Sequence, residues 1–131
     1  MNQTRSYLAK WHEGLRSNDE GFLDEILDES CIFTSPIVFK PIKGKEMSKL
    51  YLMGAGQTFD MHRFKYVKEL VDGFDTVLEF ETYIDDISVN GVDIIRWNDK
   101  GKIVDFKVMI RPLQAIAALQ QKMSEALEAL K

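Results

Sequence analysis

The hydrophobic pattern of this 131-residue chain predicts an α+β domain, in which a curved antiparallel sheet packs against N-terminal helices and a further helix follows at the C-terminal end. Three observations carry that expectation. Residues 4–56 show helical spacing broken by one short apolar segment, residues 63–110 alternate over long runs parted by tight turns, and the residues after Pro112 return to helical spacing. One domain, residues 1–131, suits the length, since dividing the chain would leave two undersized cores.

Thr4 is placed to cap a first helix over residues 4–17, because Tyr7, Leu8, Trp11 and Leu15 fall on one stripe and the pattern stops at Ser17-Asn18. Asn18 or Asp19 then caps a second helix ending near Asp28, with Phe22, Leu23, Ile26 and Leu27 as its stripe. Cys31 to Phe39 is apolar and β-branched but contains Ser35-Pro36, so it reads as two short strands or one bent edge strand. Pro41 to Gly44 turns into a short helix with Met47, Leu50, Tyr51 and Met53 inward, ended by Gly54-Ala-Gly56. Four antiparallel strands follow as a meander: Arg63 to Val71, Thr76 to Ile84, Ile87 to Trp97 and Ile103 to Ile110. Val89-Asn90-Gly91 is either a further tight turn or a bulge. Arg111-Pro112 closes the last strand, and the terminal helix from Leu113 carries Ile116, Leu119, Met123 and Leu127 on a stripe that needs a surface to cover.

Apolar residues make up 45% of the chain and charged residues 29%, a balance that supports a packed core and argues against disorder. The formal net charge is −4 and the basic residues are scattered among acids, so nucleic acid is not an expected partner. A lone cysteine, Cys31, excludes an intrachain disulfide; a buried thiol in a reducing, cytoplasmic setting is expected. The opening MNQTRSYLAKWHEG has no uninterrupted apolar stretch, so neither a signal peptide nor a membrane association is expected.

Two blocks carry a family resemblance. Trp11 to Gly44 joins an amphipathic helix, a polar Ser17-Asn-Asp-Glu20 break, a second helix and CIFTSPIVFKPIKG; Val92 to Ile110 reads VDIIRWNDKGKIVDFKVMI. In order, spacing and turn chemistry these blocks resemble the nuclear transport factor 2-like superfamily, in its ketosteroid isomerase and polyketide cyclase-like, SnoaL-like branch. The resemblance implies a cone-shaped sheet around one apolar pocket. It implies a fold more than a reaction, since that superfamily hosts hydrolases, isomerases, cyclases and non-enzymes.

The isomerases of that family use a tyrosine on the first helix, a carboxylate base just before the proline and a protonated aspartate on a later strand. Aligned on the matched turns, those positions fall here at Trp11, Ser35 and Asp93. A serine hydroxyl without an activating partner cannot abstract a proton beside a carbonyl, so the residues argue against steroid-type isomerisation. The epoxide hydrolase variant of the fold is not supported either, because its catalytic acid would fall at Val108.

If Asp93 points into the cone, alternation puts Gly91, Ile95 and Trp97 on its face, with Phe106, Val108 and Ile110 from the last strand. Phe64, Tyr66, Leu78 and Phe80 would add walls from the middle strands. Asp93 then has two readings: a neutral carboxyl donating to a ligand oxygen, or a structural aspartate facing solvent or satisfied by a donor such as Trp11 Nε1. His62 is the candidate proton acceptor, Trp11 and Ser35 are candidate ligand contacts, and neither His12 nor His62 sits in a metal-ligand spacing, so no metal or cofactor is called for. The expected function is binding of a small apolar or keto-bearing molecule by a homodimer. A cyclase- or isomerase-like enzyme with Asp93 as acid, and a non-catalytic dimeric module pairing through Tyr83 and Met109, are the alternatives.

Overall fold

The computed structural model describes residues 3–17 and 21–130. Helices α1 (Thr4–Ser17) and α2 (Gly21–Ile26) lead into β1 (Leu27–Thr34), the short β2 (Ile42–Lys43), α3 (Lys45–Thr58), β3 (Lys65–Asp72), β4 (Asp75–Ile84), β5 (Ile87–Trp97), β6 (Ile103–Arg111) and α4 (Leu113–Leu130). The six strands form one sheet in the order β2-β1-β6-β5-β4-β3. Strands β3 to β6 are the expected antiparallel meander, and β1 joins it parallel to β6.

Strand β1 is therefore an inner strand, with β2 on its far side as the edge. It starts at Leu27, which pairs with Ile103, and a register shift before Ile32 absorbs the polar Asp28, Glu29 and Ser30. It stops at Thr34, before Ser35-Pro36, where proline removes a ladder donor. The expected cap at Asn18 or Asp19 lies outside the described residues. Thr4 is not a cap: it is the first helical residue, fully buried, and its Oγ1 donates to the Gly73 carbonyl 2.7 Å away in the β3–β4 turn.

Helix α3 runs through Gly54-Ala-Gly56 to Thr58 instead of ending there. The reason is a close approach, since a Cβ on Gly54 would lie 3.2 Å from Met123 Cε and 3.3 Å from Leu127 Cδ2 of α4. Tyr51, Leu52 and Met53 pack on the core, while Met47, expected inward, is 46% exposed. Val89-Asn90-Gly91 is neither turn nor bulge. All three pair in unbroken register with β4, and Asn90 Nδ2 donates to the Phe80 carbonyl and to Glu79.

Every second residue of β5 from Val89 to Trp97 is buried, so Asp93 does face inward with Gly91, Ile95 and Trp97. Strand β4 supplies Thr76, Leu78, Phe80, Thr82 and Ile84 to the same face. Helix α4 covers its own chain with Ala115, Leu119 and Met123, each about one helical turn apart. Cys31 is fully buried, and burial pushes its thiol up to about 11. No described helix is long and apolar enough to cross a membrane.

Gly91 makes room for an aromatic wall. A Cβ there would stand 2.4 Å from Phe80 Cζ and 2.8 Å from the Met109 carbonyl oxygen, and the second of these cannot rotate away. Gly91→Ala is expected to destabilise the fold by about 1–3 kcal/mol, as overpacking does. Urea denaturation checks this, and an unchanged midpoint would show that the strand relaxes freely.

Candidate functional site

A cavity of about 910 Å³ lies between the inner face of the sheet and helices α1, α3 and α4. Its size is within the roughly 300–1,000 Å³ of small-molecule sites. Phe33, Phe64, Phe80 and Phe106 form much of its wall, together with Val108, Leu52, Leu119 and Met123. The aromatic rings brace one another: Phe64 stacks on Phe80 at 5.0 Å, and Trp11 tilts against Phe106 at 5.2 Å. Such pairs hold the wall in one shape beyond what area burial alone would do.

One polar chain crosses this apolar wall. Trp11 Nε1 donates to Tyr66 Oη at 3.0 Å, and the Tyr66 hydroxyl donates to Asp93 Oδ2 at 2.8 Å. The three residues come from α1, β3 and β5, so the chain exists only when the helix is docked across the sheet. Burial raises Asp93 from an ordinary 3.8 to about 7, and the hydrogen bond from Tyr66 only partly offsets this. Tyr66 is held well above its usual range, first by burial and then by the Asp93 carboxylate beside it. No described residue donates to Asp93 Oδ1, and Asp93 borders the cavity. When protonated, this carboxyl can therefore donate to an oxygen inside it.

The chain of donors revises the role of Trp11. Its ring borders the cavity as expected, but its N–H is committed to Tyr66 and is not offered to a ligand. Tyr66, expected only as wall, is the donor that Asp93 uses. Its inward alternation beside Phe80 was visible in the sequence, and a buried phenol must find a partner, which is the signal that would have singled it out.

Ser35 borders the cavity, with its Oγ accepting from the Ile37 N–H at 3.2 Å. His62 stands at the rim, exposed, on a segment fixed to β4: the Asp60 N–H donates to the Tyr83 carbonyl, and Thr82 Oγ1 donates to the Asp60 carbonyl. The Arg63 guanidinium holds the Asp60 carboxyl below the usual range, and Asp60 Oδ1 accepts from the His62 N–H. Phe64, Phe80, Phe106 and Val108 are placed on the cavity as expected. Ile95 and Ile110 are not: Ile95 is fully buried in the core between Thr76 and Phe106, and Ile110 packs by Gly91. His12 also borders the cavity, its ring 5.3 Å from that of Tyr66 and its Nε2 2.5 Å from Glu69 Oε1 without hydrogen-bond geometry.

The sign of the Asp93 shift fixes a pH dependence of stability. Between about pH 4 and 7 the unfolded chain has lost this proton while the folded chain keeps it, so stability falls as pH rises through that window, by up to about 1.4 kcal/mol per unit. In Asp93→Asn, whose amide oxygen can still accept from Tyr66, this component is expected to vanish, making the variant the more stable protein at pH 8. Urea unfolding of both proteins at pH 4.5, 6 and 8 checks it; parallel profiles would mean that Asp93 titrates normally.

No family model and no curated protein matches the chain. Solved structures do. A steroid delta-isomerase from Pseudomonas aeruginosa superposes with a TM-score of 0.91 at 32% identity, over 99% of this chain and 95% of that one. An uncharacterised protein with a cystatin-like fold from Silicibacter pomeroyi gives 0.83 at 30% identity, over 91% and 83%. A nuclear transport factor 2-like protein of unknown function from Mesorhizobium loti gives 0.71 at 19% identity, over 84% and 92%, which bears on the fold alone.

Proposed function

The chain belongs to the nuclear transport factor 2-like superfamily, on its ketosteroid isomerase-like side, and from that premise we propose that it binds a small apolar molecule bearing a carbonyl or enol oxygen, held by Asp93. The observation that carries this reading is a buried carboxyl whose one oxygen is satisfied by Tyr66 while the other is left to the cavity. In apolar surroundings a neutral acid is a good donor and an ionised one is costly, so the ligand oxygen is the natural partner of the Asp93 proton. The phenylalanine walls suit a flat or compact apolar body.

An isomerase- or cyclase-like reaction is the second reading, favoured by the same carboxyl. A neutral acid aimed at a carbonyl oxygen stabilises the enolate formed when a proton leaves the neighbouring carbon. The proton acceptor would be His62 at the rim, because Ser35 stands where the isomerases carry their carboxylate and its hydroxyl has no activating partner among the described hydrogen bonds. Product formation from a panel of planar keto and enol compounds, lost in Asp93→Asn, supports this reading; retained binding without turnover removes it.

Binding of a neutral ketone is expected to be independent of pH below about 7 and to weaken roughly tenfold per unit above it, because only the protonated Asp93 donates. Asp93→Leu should abolish the preference for the ketone over its deoxygenated analogue. Fluorescence titration between pH 5.5 and 9 reads both, and affinity that ignores pH and the Leu variant alike contradicts the role of Asp93.

A homodimer is part of the proposal. The outer face of the sheet exposes Val67, Leu70, Tyr83 and Met109, with Leu70 57% and Met109 47% open. Arg63 lies over the Tyr83 ring at 4.0 Å, and Glu79, Glu81, Lys65 and Arg111 line a hollow beside it, so the face carries both signs of charge and suits a second copy of itself. Light scattering at micromolar concentration is expected to give twice the chain mass, and Met109→Glu with Leu70→Lys the mass of one chain. A monomer before mutation rules the pairing out.

A further inference from the structure

A second polar pair stands beside the hydrogen bond from Tyr66 to Asp93. His12, next to Trp11 on α1, borders the cavity, and its ring packs 5.3 Å from the Tyr66 ring. Glu69 meets it from β3, with Oε1 2.5 Å from His12 Nε2. In a regular strand a residue three positions after Tyr66 would face away from the cavity. A register shift at Val67 changes that: Tyr66 pairs with Phe80 and Glu69 with Leu78, both on the inner face of β4. The extra residue turns Tyr66 and Glu69 to the same side.

The contact decides which nitrogen of His12 carries the hydrogen. Nε2 is buried, and an imidazole lone pair that close to a carboxylate oxygen would set two acceptors against each other. Nε2 therefore holds a proton, and a small turn of the ring aligns it with Glu69. In the neutral imidazole the lone pair is then on Nδ1. Nδ1 has no hydrogen-bond partner among the described residues and, unlike Nε2, is not sealed from solvent.

Resting on the reading that the cavity holds a small carbonyl compound, we infer that His12, held by Glu69, is a second ligand contact that accepts from a hydroxyl, and that the ligand is a hydroxy ketone. The two contacts are of opposite sense. Asp93 donates and His12 accepts, so the site fits a molecule with one acceptor and one donor better than a plain ketone. Tyr66 touches both groups, its ring against His12 and its hydroxyl on Asp93, so the two ligand oxygens are spaced by the breadth of an aromatic ring. A ligand without the hydroxyl leaves Nδ1 to water, which keeps the discrimination moderate.

The test uses the full chain and a neutral reporter, N-phenyl-1-naphthylamine, whose fluorescence rises in apolar surroundings. Three uncharged ketones compete with it at pH 7: 4-(hydroxymethyl)acetophenone, its methyl ether, and 4-ethylacetophenone. The hydroxymethyl ketone is expected to displace the reporter at concentrations about tenfold below either of the others. In His12→Phe that preference should disappear while 4-ethylacetophenone competes as before. Nitrogen-15 NMR of the imidazoles at pH 8 reads the tautomer: hydrogen on Nε2 of His12, a bare Nδ1, and an Nδ1 signal that moves with the hydroxymethyl ketone but not with the ethyl one. In Glu69→Gln, whose amide serves either tautomer, the two forms should mix; an unchanged spectrum overturns the role of Glu69. Hydrogen on Nδ1, no preference for the hydroxyl, or a preference that survives His12→Phe overturns the inference, and the carbonyl reading stands because the ethyl ketone still binds. If no ketone displaces the reporter, the carbonyl reading itself fails and this inference with it.

Discussion

The structure turns on a carboxyl group that must live without water. Asp93 sits in the middle of the central strand pairings, between Leu78 on one side and Val108 on the other, where an isolated ion would be untenable. Two things reconcile it with its place. The group keeps its proton to a higher pH than usual, and Tyr66 supplies a hydrogen bond to one oxygen. Tyr66 in turn needs its own lone pair occupied, and Trp11 provides that from across the sheet. Removing any one member leaves a neighbour unsatisfied in apolar surroundings, so the three constrain one another more tightly than three separate contacts would.

Around that chain the space is set by what is missing as much as by what is present. Gly91 has no side chain, so Phe80 can lie flat over β5 and line the cavity instead of being pushed from it. Gly54 has none either, so α4 settles onto α3 with Met123 and Leu127 and brings Leu119 and Met123 to the cavity wall. Small residues at these two points let the helical layer and the sheet come together around an open-mouthed cavity. Paired aromatic rings frame much of its wall.

Much of the fold was legible because alternation and turn chemistry are local. The four meander strands, α1 and the inward face of Asp93 follow from period-two and helical spacing, and the structure places them within a residue or two. What escaped depends on partners distant in sequence. Gly54-Ala-Gly56 reads as a helix end until α4 is laid beside it, and Val89-Asn90-Gly91 reads as a turn or a bulge until the Phe80 ring is seen above it. Thr4 reads as a cap until Gly73 offers its carbonyl, and the segment from Cys31 reads as two short strands or one bent edge strand until β2 pairs outside β1. At the site, the sequence pointed to Asp93 and Trp11 but not to the phenol between them, since nothing in a one-dimensional pattern says that residue 66 bridges residues 11 and 93.

Helix α1 is tied to the sheet by contacts distant in sequence: Thr4 to Gly73, Trp11 to Tyr66 and Tyr7 to the Asp99 carbonyl, 69, 55 and 92 residues apart. Closing loops of that length is slow compared with zipping neighbouring strands, so the meander can form while α1 is still undocked. In such a chain the inner face of β5 is wet and Asp93 is an ordinary acid. The unusual proton affinity arrives with the helix. The raised proton affinity of Asp93 therefore belongs to the docked assembly of α1, β3 and β5, and not to the strand that carries the residue.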